Sequence, residues 1–142
     1  MEKSDGLKLE NQICFPLYAC SKGIISKYKP HLDEIGLTYT QYITMLVLWE
    51  KEKITVSELG DKLYLDSGTL TPLLKKLEEK NFISRNRSKS DERNLIITLT
   101  PEGKKLKKKA VDIPSKLINC VNLSEDEAKE LYILLYKVLA QF

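Results

Sequence analysis

The chain has 142 residues, 42% of them apolar and 30% charged, enough for one domain with a hydrophobic core and too short for two. Its longest apolar run, Met45 to Trp49, falls far below the roughly 18 residues of a membrane span, and the charged opening Met1-Glu2-Lys3-Ser4-Asp5 lacks the apolar block of a secretion signal. One histidine and three scattered cysteines leave no self-contained zinc site, so the expectation is a cytoplasmic single domain over residues 1–142, without metal or cofactor.

Charge is unevenly spread. Residues 85–109 carry nine basic side chains against three acidic ones, a local +6 within a net +3, which leaves −3 on the rest. A polyanion-binding surface confined to one segment gives this pattern. The run Lys104 to Lys109, taken alone, also reads as the solvated face of a helix.

In chain order, Leu9, Ile13, Leu17, Cys20, Ile24 and Tyr28 recur at three- and four-residue steps and predict an amphipathic helix over residues 8–28. Pro30 and Gly36 bracket a connection. Thr38 and Gln41 have the spacing of a capping box, so a second helix begins there and runs to Trp49. Short elements follow over Ile54 to Val56 and Ser57 to Leu63, with Thr55 and Glu58 again at capping-box spacing. Asp66 and Ser67 suit the start of the next helix, which carries Leu70, Leu73, Leu74 and Leu77 on one face.

The period then changes. Phe82 to Arg87 and Asn94 to Leu99 read as two strands of a hairpin joined by the polar segment Ser88 to Arg93. Thr100-Pro101 opens a helix, and Pro114 interrupts it. Ser124 to Glu127 forms one more capping box, ahead of a final helix striped by Leu131, Leu134, Leu135, Val138 and Leu139. No internal repeat or linker divides the chain.

Helix, turn, helix and a basic hairpin make a winged helix-turn-helix plan within a mainly α fold bearing a small β-wing. Such a helix fits the major groove of DNA, while the hairpin tip carries arginines into the neighbouring groove. With the four leucines buried, 100° per residue puts Gly68, Pro72, Lys75, Lys76 and Glu79 outward, with Ser67, Thr69 and Thr71 at the start and flanks. Small and hydroxyl-bearing residues there allow close approach to base edges, and lysines meet phosphates. Arg85, Arg87, Lys89 and Arg93 charge the hairpin. Plain α+β packing fits the same order of elements, but leaves the basic bias of the hairpin without a purpose.

Leu65-Asp66-Ser67-Gly68-Thr69-Leu70-Thr71-Pro72-Leu73-Leu74-Lys75 resembles the recognition segment of the MarR family, and Asp91-Glu92-Arg93 followed by Leu99-Thr100 resembles its wing signature, D-x-R-x5-L-T. The segments Leu9 to Phe15, Tyr28-Lys29-Pro30 and Leu37 to Tyr42 are similar to the organic-hydroperoxide-sensing and SarZ-like branch. The resemblance implies a dimeric repressor on inverted-repeat operators, with Arg93 in the minor groove and Asp91 holding the wing arginine. Dimerisation has its own argument as well. The reading head needs only about residues 54–100, so the helices of 8–36 and 101–142 carry apolar stripes that a two-fold partner would bury.

Three cysteines in a reducing compartment start as free thiols. A small buried hydrophobe is the ordinary role of each, and Cys20, on the apolar stripe, suits it. Cys14 is different: it lies in the first turns of the opening helix, where the dipole and spare N–H groups favour a thiolate, with Tyr18 one turn along. The resemblance places Tyr28 and Tyr39 beside the sensing cysteine. Cys14 and Tyr28 are 14 residues apart, about 21 Å along one helix, so a meeting needs the partner's Tyr28. Oxidation converts Cys14 to a sulfenic acid. Cys20, six residues on, is about 9 Å up the helix and turned away, a poor disulfide partner. Cys120 is free of that constraint, and the resemblance implies a resolving cysteine in such a late position; otherwise a low-molecular-weight thiol caps Cys14.

Three rivals compete with this reading. A MarR regulator released by a small phenolic or anionic ligand needs no nucleophile, whereas Cys14 stands among tyrosines. A thiol peroxidase would need an arginine or histidine near Cys14 and has no use for a basic wing. A winged helix that has lost DNA binding would not keep Arg85, Arg87, Lys89 and Arg93. The expectation is therefore a regulator and not an enzyme.

Overall fold

A computed structural model describes residues 3–87 and 95–142. Two short 3-10 turns, Lys3–Leu7 and Leu9–Asn11, precede helix α1 (Cys14–Asp33). Helix α2 (Tyr39–Lys51), strand β1 (Lys53–Thr55), helix α3 (Val56–Leu63) and helix α4 (Ser67–Glu79) follow. Strands β2 (Ile83–Arg87) and β3 (Leu95–Leu99) lead into helices α5 (Pro101–Ala110), α6 (Ile113–Leu117) and α7 (Glu125–Leu139).

The predicted opening helix is shifted. It begins six residues later than its periodicity suggested, because the side chains of Asn11 and Gln12 turn back to the carbonyls of Asp5 and Gly6 and favour tight local turns. At the other end α1 runs through Pro30 to Asp33. Proline costs one helical hydrogen bond there, to the Ser26 carbonyl, while the last turn is held by the burial of Leu32 and by the half-buried Tyr28. The chain then reverses at Gly36, whose φ of +71° suits glycine.

The other boundaries follow their caps. Thr38 and Gln41 form the complete capping box of α2, as Ser124 and Glu127 do for α7. Thr55 accepts the Glu58 N–H, Asp66 the Thr69 N–H and Thr100 the Gly103 N–H at the starts of α3, α4 and α5. The hairpin gains a strand the sequence pattern did not label. β1 pairs antiparallel with β3, Ile54 opposite Ile97, giving the order β1-β3-β2. Three residues are too few to carry an alternating pattern.

One core joins these elements. Met45 and Leu48 of α2, Leu59 of α3, Leu70, Leu74 and Leu77 of α4, and Ile83 and Ile97 of the sheet are all buried. Trp49 is half-buried and donates its indole N–H to the Gly103 carbonyl at 2.9 Å. Gly103 has no room for a side chain: a Cβ there would lie 2.2 Å from the Phe82 carbonyl oxygen. This contact seats α5 on the base of the wing.

The two ends of the chain differ from this centre. Ile13, Phe15, Leu17, Tyr18 and Ile25 of the opening segment are exposed, and α7 buries none of its residues although Leu131, Leu134, Leu135 and Val138 line one side. Cys20 corrects an expectation. It is exposed, because the first half of α1, Cys14 to Gly23, buries none of its residues within the single chain. None of the described helices is long and apolar enough to cross a membrane.

Candidate functional site

Two groups of side chains carry chemistry, one on the helix-turn-helix and one around the cysteines. The first is built by tight packing. Gly60 lets α3 approach the turn so closely that a Cβ would lie 2.8 Å from the Leu65 carbonyl oxygen. The Gly60 carbonyl accepts the N–H of both Tyr64 and Leu65, which closes α3 and sets the direction of α4. Asp66 then caps α4. Bonds from the Thr69 N–H, the Thr69 hydroxyl and the Gly68 N–H hold its carboxyl below the usual carboxylate range.

The outward face of α4 is as the periodicity placed it: Ser67, Gly68, Thr69, Thr71, Pro72, Lys75 and Lys76 are all exposed, opposite the buried leucines. Two of its hydroxyls are already committed. Thr71 donates to the Ser67 carbonyl at 2.8 Å and Thr69 to Asp66, so each offers an approaching duplex a methyl group and an acceptor. Lys75 and Lys76 extend into solvent and make no ion pair among the described residues.

Arg85 departs from expectation. It is a brace: its side chain grips the Glu78 carboxylate at 3.1 and 3.2 Å, and its N–H donates to the other carboxylate oxygen at 2.9 Å. The pair ties β2 to the last turn of α4, and the Arg85 side chain followed by its N–H holds the Glu78 carboxyl below its ordinary value. Arg87 is exposed at the end of β2. Lys89, Asp91 and Arg93 lie outside the described residues.

In the second group, Cys14 is the first residue of α1, and no side chain caps the backbone there. Its thiol is exposed, as is Tyr18 one turn on, where the Lys22 ammonium sits 5.1 Å from the ring centre. Tyr28 is on the same unbroken helix, so the separation of about 21 Å stands within one chain. What Tyr28 meets instead is Tyr39, edge-on with ring centres 5.1 Å apart, and Tyr42 at 5.7 Å. Cys120, half-buried after α6, packs against the same core and lies within electrostatic reach of the Tyr28 phenol.

Burial raises the phenol pKa of Tyr28, Tyr39 and Tyr42, and for Tyr28 the neighbouring Tyr39 and Cys120 raise it further. These phenols therefore stay protonated and remain hydrogen-bond donors at neutral pH. One protomer thus assembles Tyr28, Tyr39 and Cys120, and leaves Cys14 and Tyr18 at the far end of α1. Tyr42 belongs to the cluster and escaped the sequence reading. Its signal was its spacing of three from Tyr39 after a capped helix start, which puts both rings on one face.

Comparison with known proteins identifies the family. A sequence profile described as Transcriptional regulator SarA/Rot matches residues 26–110. The Organic hydroperoxide resistance transcriptional regulator of Bacillus subtilis is 50% identical over 137 residues, 96% of this chain and 93% of that protein. This chain belongs to the MarR family. Within that family it is also similar to the HTH-type transcriptional regulator SarZ of Staphylococcus epidermidis, 47% identical over 87% of this chain and 83% of that one. Among solved structures, reduced AbfR bound to DNA superposes with a TM-score of 0.81 at 36% identity, covering 99% of this MarR-family chain and 98% of the other. Overoxidized AbfR bound to DNA matches equally well, and a disulfide-formed AbfR matches at a TM-score of 0.68.

Proposed function

We propose that this MarR-family chain is a dimeric, redox-sensing repressor that grips inverted-repeat operator DNA and lets go when Cys14 is oxidised. The observation that carries the reading is the split site: Tyr28, Tyr39 and Cys120 gather in one protomer, about 21 Å along α1 from an exposed Cys14. A two-fold partner laid along the uncovered apolar faces of α1 and α7 brings its own Cys14 to that cluster. Organic hydroperoxide resistance, in the Bacillus relative, and the reduced and oxidised forms of AbfR support the same chemistry.

In this mechanism the Cys14 sulfur attacks the terminal oxygen of a hydroperoxide. The O–O bond breaks, the alkoxide takes a proton and leaves as an alcohol, and sulfur carries OH as a sulfenic acid. Tyr28 and Tyr39 of the partner donate to sulfur and to the departing oxygen. The Cys120 thiol of the partner then displaces water from the sulfenic acid, closing a disulfide between subunits. In AbfR an overoxidized form is seen bound to DNA. We assign release here to the cross-link, which draws the ends of α1 and α6 together and changes the spacing of the two α4 helices from the roughly 34 Å of successive major grooves. A low-molecular-weight thiol on Cys14 is the substitute where Cys120 does not reach. The chain works in the cytoplasm, where its thiols start reduced, and turns nothing over.

A second reading keeps the fold and replaces oxidation with a ligand. A cavity of about 260 Å³ between α1 and α2, lined by Ile25, Lys29, Leu37 and Tyr39, favours it. A gel shift on a selected inverted-repeat duplex, with and without cumene hydroperoxide, separates the two. Cys14→Ser is expected to bind as wild type and to stay bound after peroxide. Cys120→Ser is expected to lose both the cross-linked dimer on a non-reducing gel and prompt release. Release of Cys14→Ser by peroxide would remove Cys14 from the mechanism.

A further inference from the structure

The turn between α3 and α4 holds a residue that neither packing nor backbone geometry explains. Tyr64 adopts the left-handed conformation, φ 54° and ψ 39°, that closes α3. Glycine occupies this position without strain, and a bulky aromatic residue does not. Nor does the ring repay the strain by burial, since Tyr64 is 57% exposed. Among the described residues from Lys53 to Leu99, which hold the helix-turn-helix and the sheet, it is the one large hydrophobic side chain left exposed. Every other such side chain lies on the opening segment, on α2 at Leu46, or beyond α5. Strain and exposure together mark a residue kept for contact with something outside the fold.

Its place says what that is. Tyr64 stands three residues before the first residue of α4 and two after Lys62, the exposed cation in the last turn of α3. The first turn of a recognition helix reaches base edges, so the turn just ahead of it lies at the rim of the groove, along the sugar-phosphate backbone. Tyrosine hydroxyls are among the groups that bind phosphate oxygens. We infer that Tyr64 is a DNA-contact residue whose phenol donates a hydrogen bond to a backbone phosphate beside the groove that α4 enters. The inference rests on the DNA-binding reading above and adds to it a contact outside the α4 face and the wing.

Tyr64→Phe in the full-length, reduced protein tests it by fluorescence anisotropy on an operator duplex and on an unrelated duplex of equal length. Binding is expected to weaken about tenfold on both, because a phosphate contact is blind to sequence. The salt dependence stays as in wild type, since a neutral donor releases no counterion, and the melting temperature is unchanged because ring and backbone are kept. Tyr64→Gly, which relieves the strain, is expected to fold at least as stably and to bind as weakly as Tyr64→Phe. Wild-type affinity in Tyr64→Phe overturns the inference, as does a loss confined to the operator or a fall in melting temperature that tracks the loss of binding. A wild-type protein that binds neither duplex would overturn the DNA-binding reading itself, and this contact with it.

Discussion

The Arg85–Glu78 pair offers the sharpest test of how the wing works, because two roles for Arg85 predict opposite patterns. As a brace, Arg85 acts through Glu78. Three hydrogen bonds join them, at 2.9, 3.1 and 3.2 Å, and two involve both charges. A buried charge-assisted bond contributes about 1.5–3 kcal/mol, but these side chains are 23% and 38% exposed, and solvent screens the pair toward a net of roughly 1 kcal/mol. Removing either partner frees the hairpin from α4, so Arg85→Ala and Glu78→Ala are each expected to weaken operator binding about fivefold. The double variant should be no worse than either single one. If Arg85 instead touched a phosphate, Arg85→Ala would lower the salt slope by about one per contact. Glu78→Ala would then tighten binding, by removing an acid from a basic surface. Anisotropy titrations of the three variants between about 50 and 200 mM salt decide the matter. Additive losses, or a lower slope in Arg85→Ala alone, would refute the brace.

Other outcomes follow from the same structure. Gly103→Ala forces a methyl group onto the Phe82 carbonyl and is expected to cost about 1–3 kcal/mol, a fall of several degrees in melting temperature by calorimetry; an unchanged midpoint would mean that α5 shifts freely on the wing. Folding holds the Asp66 and Glu78 carboxyls below their unfolded values, so the unfolded chain binds more protons in acid; their contribution is complete above about pH 5 and drains as pH falls through the folded values. Asp66→Asn, which keeps a capping oxygen, should therefore lose stability less steeply than wild type below that pH, and parallel curves would remove Asp66 from the account. Tyr28→Phe is expected to slow the consumption of cumene hydroperoxide by Cys14 about tenfold in stopped-flow measurements while leaving DNA affinity intact; an unaltered rate would mean that the phenol cluster does not serve the sulfur. Arg93→Ala is expected to weaken binding by about 1–3 kcal/mol, measured on the same duplex.

The sequence by itself determined most of the element order and the outward surface of α4. Helix caps and the leucine repeat act over three or four residues, and that physics is local enough to read directly: Thr38, Asp66, Thr100 and Ser124 each cap the helix the pattern proposed. Patterns fail where neighbours distant in the chain decide. The three residues of β1 become a strand because β3 offers them partners, and Pro30 stays helical because Leu32 is buried beyond it. Charge was read correctly as charge, yet Arg85 faces Glu78, seven residues back across the turn, and a count of basic residues has no means of finding that. The cysteine chemistry divides the same way. Residue spacing separated Cys14 from Tyr28, while only folding gathered Tyr28, Tyr39, Tyr42 and Cys120 from three parts of the chain onto one patch, because contact between distant segments depends on where the core brings them together.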